Sequence, residues 1–129
     1  MQYMLLIYLN ESAPTEAQRA TCYEESAAFA RQLHAKGQYV MSAPLHPTST
    51  ATSVRAMEGK RLVTDGPFAE TREQLGGFFL VDAANLDDAI EIAKGLPAGQ
   101  WGTVEIRPVI EISGLPTAPP VDLAVSRST

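Results

Sequence analysis

Residues 3–9 (YMLLIYL) form an almost unbroken apolar run bounded by Asn10-Glu11-Ser12, the pattern of a buried strand. Pro14 and Thr15 then open a long helical segment reaching about Lys36. At 100° per residue, Ala20, Cys22, Tyr23, Ala27, Phe29, Ala30 and Leu33 share one broad arc, and Glu24, Glu25, Arg31, Gln32 and Lys36 fall opposite. Gly37 is the natural stop. Residues 38–43 (QYVMSA) predict a second strand, followed by the turn-rich loop 44–52. Segments 53–57 and 60–64 flank Glu58-Gly59 as a hairpin. After the turn signal Asp65-Gly66-Pro67, the polar stretch 69–75 is expected to be exposed, and Gly76-Gly77 leads into a buried strand at 78–83. Asn85 with Asp88 marks a helix start, and Leu86, Ala89, Ile90 and Ala93 supply the spacing. Gly95-Leu96-Pro97 ends that helix. Residues 103–112 alternate: Val104, Ile106, Ile110 and Ile112 point one way, Thr103, Glu105, Arg107 and Glu111 the other.

The order is strand–helix–strand, a central hairpin, then strand–helix–strand. It predicts an α+β fold, a ferredoxin-like antiparallel sheet with two helices on one face. The second sheet face is then bare, with Val109 and alternate apolar residues of the first strand on it. A bare apolar face predicts a homodimer closed face to face. The expected domain covers residues 1–112. Residues 113–129, rich in proline and small residues, are expected to be a mobile tail or an arm laid on the partner subunit.

Composition narrows the class. With 129 residues, the chain is long enough for one core and too short for two. The single cysteine, Cys22, cannot close an intramolecular disulfide, and the opening MQYMLLIYLN lacks a basic start and a small-residue cleavage site. No apolar run reaches the roughly 20 residues needed to span a bilayer. A cytoplasmic protein is therefore expected. Ten Lys and Arg against fifteen Asp and Glu, net −5, with no basic cluster, argue against direct contact with nucleic acid.

Candidate chemistry is sparse. Asp65-Gly66-Pro67-Phe68 reads first as a turn anchored by Phe68, and second as a carboxylate beside an apolar side chain, raised in pKa and able to take a proton. Glu70, Arg72 and Glu73 are surface charges on a loop of the kind where sites concentrate. Arg55 and Arg107 fall inside predicted strands, where a long cation is either paired across the sheet (Arg107 with Glu105 or Glu111) or clamps an anionic ligand. His34, in the apolar arc, reads as structural; His46, between two prolines in a loop, is placed to reach a cleft as an acid or base, with a plain exposed loop histidine the commoner reading. Cys22 reads as a small core residue. No CxxC, HExxH, GxSxG, P-loop or GxGxxG occurs, and Gly76-Gly77 reads as close backbone packing rather than a phosphate cradle.

The run from Leu62 through Asp65-Gly66-Pro67-Phe68 and Arg72 to Gly76-Gly77-Phe78 resembles DGPF-type proteins of the YCII-related family. Tyr3-Met4-Leu5-Leu6-Ile7-Tyr8, Ala51-Thr52-Ser53-Val54-Arg55 and Val104-Glu105-Ile106-Arg107-Pro108-Val109 agree with it. The resemblance covers about residues 1–112. It implies a dimeric α+β barrel of ferredoxin-like protomers, in a group that includes cofactor-free lyases, isomerases and dehydrochlorinases of small cyclic acids. It also implies accessory proteins encoded beside extracytoplasmic-function sigma factors. The YCII-like branch carries a helix-one histidine proposed to pair with an aspartate for proton transfer; counted back from Gly37, that position falls near Ser26 here, which leaves Asp65 without that partner.

The expectation is a homodimeric small-molecule-binding protein without cofactor or metal, of which a lyase or isomerase is the catalytic version and enzyme activity is left open. Its site lies between helix-covered sheet and hairpin, with Asp65 as base and Arg55, Arg107, His46, Phe68 and Glu70 contacting a small anionic or cyclic substrate. The alternative is a non-catalytic accessory module with a sigma-factor-related protein partner.

Overall fold

A computed structural model describes residues 1–116; the expected tail conformation therefore lies, beyond its first four residues, outside the described residues. Strand β1 (Gln2–Leu9) is followed by α1 (Glu16–Ala35), β2 (Tyr39–Pro44), β3 (Thr52–Met57), β4 (Lys60–Asp65), β5 (Gln74–Asp82), α2 (Leu86–Lys94) and β6 (Gly102–Pro108). The main sheet is antiparallel, in the order β2-β5-β1-β6, and β3-β4 form a sheet of their own. This is the ferredoxin-like arrangement with a hairpin inserted after β2. No helix among the described residues is long and apolar enough to cross a membrane.

The core forms on one side of the main sheet. Tyr3, Leu5 and Ile7 of β1 and Phe79 and Val81 of β5 are buried there against Leu33 of α1 and Ala89 and Ile92 of α2. Each helix start is fixed by its cap. The Thr15 hydroxyl accepts the Gln18 N–H while the Gln18 side chain accepts the Thr15 N–H, a reciprocal box at α1. Asn85 Oδ1 accepts the Asp88 N–H at α2. In α2, Leu86 is exposed and Ile92 is buried in its place.

Three expectations change. Strand β6 stops at Pro108 rather than continuing to 112, because its register pairs Tyr3 with Pro108 and β1 is nearly used up there. Val109 N–H still reaches the Gln2 carbonyl, and beyond it Ile110 is 80% exposed. In α1, Cys22 and Leu33 are buried and Phe29 and Ala30 half-buried, but Ala20, Tyr23 and Ala27 are exposed. Only the C-terminal half of α1 packs down on the sheet. His34 is also exposed, standing edge-on to Tyr39 at 6.5 Å between ring centroids.

The β3–β4 hairpin turns on Glu58 (φ 50°) and Gly59 (φ 76°), both in the left-handed region that a two-residue turn of this twist requires. Apart from half-buried Ser53, every residue of the two strands is exposed. The hairpin is tied at its base, where Gly66 N–H reaches the Ala51 carbonyl at 2.7 Å and the Ser53 hydroxyl the Gly66 carbonyl at 2.7 Å.

Gly76 and Gly77 lie inside β5, at a register irregularity opposite Ile7 and Tyr8. A Cβ on Gly77 would stand 2.9 Å from the Ala43 carbonyl oxygen, so β2 and β5 approach as close backbones.

Candidate functional site

Where α1 leaves the sheet, a cavity of about 660 Å³ opens between them. Its floor comes from Ile7, Leu9, Gly77 and Phe79, and its roof from one stripe of α1 running from Arg19 through Cys22 and Ser26 to Ala30. The loop after β2 closes one side with Leu45, His46 and Pro47, and Trp101 closes another. The lining is mostly apolar, with a few polar groups turned inward, the usual make-up of a small-molecule site.

Those polar groups come from separate segments. The Glu11 carboxylate accepts the Thr48 N–H at 3.0 and 3.3 Å and also the Thr48 hydroxyl. It thereby latches the loop that carries His46 onto the loop between β1 and α1. Arg19 Nη2 donates to the Glu11 backbone carbonyl at 3.3 Å. Tyr39 and Ser42 share a hydroxyl hydrogen bond of 2.8 Å. No group of three or more metal-ligating side chains occurs among the described residues.

Cys22 Sγ lies 3.9 Å from Ser26 Oγ. Burial pushes the Cys22 thiol up, the Ser26 hydrogen bond opposes it, and the Glu25 charge adds to the rise. The thiol is thus held in its unreactive protonated form. Folding favours that proton, so the stabilising contribution is complete below the ordinary thiol range and fades as pH rises through it. Iodoacetamide at pH 8 should therefore alkylate the native protein far more slowly than the urea-unfolded chain; equal rates would show a reactive cysteine.

The structure does not bring the residues expected from sequence into one site. Only His46 lines the cavity, and it is exposed at the mouth. Asp65 ends the hairpin's second strand opposite Thr52 and is exposed, its carboxylate making no hydrogen bond or ion pair with another described residue. Arg55 is exposed on the same hairpin, across from Leu62, and Glu70 follows it, also exposed. Phe68 does not anchor its turn in the core: it is 88% exposed, because the turn rides on the projecting hairpin. Arg107 is exposed on β6, across from Met4 on the helix-free face, and makes no ion pair with Glu105 or Glu111. The cleft lies between α1 and the sheet, and the hairpin contributes nothing to its lining.

Sequence reasoning passed over Glu11, Arg19 and the Tyr39–Ser42 pair. One signal was available for Arg19. Positions 19, 22, 23, 26, 27 and 30 follow helical spacing, and that stripe mixes a cation and two small polar groups with apolar residues. A stripe packed directly on a sheet has no use for such groups. Ser26, the position counted back from Gly37, does lie on the cavity.

A four-stranded antiparallel sheet under two helices, with a cavity beneath the first of them, defines a ferredoxin-like α+β protein with space for a small molecule. A family model described as the YCII-related domain matches residues 1–113, and the chain belongs to that family. An uncharacterized protein of Rhizobium meliloti (strain 1021) is 37% identical over 114 residues, covering 84% of this chain and 92% of its own length. Among solved structures, the chain is similar to the 5-chloro-2-hydroxyhydroquinone dehydrochlorinase of Burkholderia phenoliruptrix AC1100, in complex with 2,5-dihydroxybenzoquinone. That likeness has a TM-score of 0.51 at 14% identity, over 85% of this chain and 94% of the other. It is a likeness of fold.

Proposed function

We propose that this YCII-family chain binds a small cyclic or anionic molecule in the cavity between α1 and the sheet, and that His46 makes the site one for proton transfer. The observation that carries the reading is the cavity itself: about 660 Å³ of mostly apolar space whose lining also includes His46, two serines, Glu11 and Arg19. Imidazole is the side chain best suited to give and take a proton near neutral pH. The Glu11–Thr48 latch holds the loop two residues after His46, so the imidazole starts from a restrained backbone. A lyase or isomerase step, which moves a proton between carbon and base, asks for these parts. The fold neighbour's ring-shaped ligand is in keeping with a cavity of this size.

A thermal-shift screen across small carboxylates and phenolates tests this. Stabilising hits are expected, and His46→Ala should retain binding while losing turnover of any hit that proves to be a substrate. Uniformly null shifts would overturn the reading and favour a protein-interaction role.

The second part of the reading is a homodimer. On the helix-free face, Met4, Leu6, Tyr8, Phe78 and Leu80 form a continuous half-buried apolar patch, and Val63 on the hairpin is 67% exposed. Such a patch in a soluble protein marks an interface. Arg55 and Asp65 on the hairpin, and Phe68 and Glu70 on the segment after it, lie off this chain's cavity, and a role for them is tied to this dimer. Light scattering at micromolar concentration should give twice the mass of one chain; the mass of a single chain would refute it.

A further inference from the structure

We propose that Arg19 seats the anionic group of the ligand, and that the cavity accepts one such group and not two; the inference rests on the cavity being the binding site. Arg19 is half-buried at the cavity wall and has five N–H donors, of which one is spent, on the Glu11 backbone carbonyl. No carboxylate lies within 4.0 Å of it among the described residues. A guanidinium that is partly desolvated and unpaired is costly, and a planar anion repays that cost through paired, charge-assisted hydrogen bonds.

The carboxylate that shares the cavity lining with Arg19, Glu11, is already committed. Its oxygens take the Thr48 N–H and hydroxyl, so it holds the loop rather than neutralising Arg19. Arg19 is the one guanidinium in the lining and no lysine joins it, so a single anionic ligand group completes its pairing. A second anionic group would find no second guanidinium and no lysine in the lining, only hydroxyls and the His46 imidazole, with the Glu11 carboxylate against it. Away from Arg19 the cavity offers Phe79, Tyr39 and Trp101, surfaces suited to a ring. The ligand class is therefore a cyclic monoanion, a monocarboxylate or a phenolate.

Calorimetric titration with naphthoate, its neutral amide naphthamide, and a naphthalene dicarboxylate tests the assignment. Naphthoate should bind about tenfold or more tightly than naphthamide, the scale of a charge-assisted pair, and the dicarboxylate should bind more weakly than naphthoate. Arg19→Gln should abolish the preference for naphthoate over naphthamide, and Arg19→Lys should retain part of that preference. Equal affinities for naphthoate and naphthamide in the natural protein, or a preference that survives in Arg19→Gln, would overturn Arg19 as the anchor and leave the cavity reading standing. A dicarboxylate that binds more tightly than naphthoate would overturn the one-anion limit. Binding of none of the three would overturn the cavity reading and this inference together. If Arg19→Gln fails to fold, as its melting curve would show, the acid–amide comparison in the natural protein and in Arg19→Lys decides.

Discussion

Gly102→Ala should destabilise the protein by about 3 kcal/mol or more, at or above the upper end of ordinary overpacking costs. Gly102 opens β6 and pairs with Leu9 at the end of β1. A Cβ there would stand 2.0 Å from the Tyr8 carbonyl oxygen and 2.8 Å from Leu9 Cα. Both are main-chain atoms of a central strand that β5 grips from its other edge, so neither can turn aside as a side chain would. The clash does not depend on a left-handed φ: Gly102 has φ −178°. The strands would have to part at the end next to Trp101, which lines the cavity, so ligand-induced stabilisation should fall as well. Gly99→Ala is the control, because its Cβ would meet only a Val104 methyl at 3.2 Å, and that side chain can give. Thermal unfolding should place Gly102→Ala roughly 10 °C or more below the natural protein, with Gly99→Ala much closer to it. Melting of Gly102→Ala within a degree or two of the natural protein would show that β6 has freedom the close strand approach denies it.

That contact also shows which features were legible before the fold was known. The β1 run, the Thr15 and Asn85 helix starts, the Glu58-Gly59 turn and the tight glycines of β5 are written in local chemistry, and local chemistry survives folding. The end of β6 is not local. Ile110 and Ile112 continue the alternation faultlessly, yet they are exposed because β1 has no residues left to pair with them. The site failed to show for a related reason. Asp65-Gly66-Pro67-Phe68 announces a turn, and turn chemistry says nothing about whether the turn faces a cavity or solvent. Glu11, Arg19, Ser26, Tyr39 and His46 come from four segments, and only the crossing of α1 over the sheet makes them neighbours. The exposed residues of α1's apolar arc carry the same information. Tyr23 and Ala27 look misplaced for a packed helix, and they fit one that spans an open space.

Filling that space should abolish binding without harming the fold, and Ser26→Trp is the change that does so. Ser26 sits midway along the cavity-facing stripe of α1, half-buried, with its hydroxyl placed only for a long contact to Cys22 Sγ at 3.9 Å. Losing that contact costs little. Serine and tryptophan have similar helix propensities, so the backbone is not burdened. The indole would extend into a cavity of about 660 Å³ rather than into packed side chains, which separates this substitution from ordinary overpacking. Each Å² of apolar surface it buries contributes roughly 25 cal/mol, so the melting temperature should hold or rise. Every small carboxylate or phenolate that stabilises the natural protein should lose its effect in Ser26→Trp, with affinity down by about a hundredfold or more where a ring is displaced outright. Unlike a charge change at Arg19, this loss should be indifferent to ligand charge, so naphthoate and naphthamide should fail alike. A folded Ser26→Trp protein that binds as the natural one does would move the site off α1 altogether, and the exposed hairpin would then become the place to look.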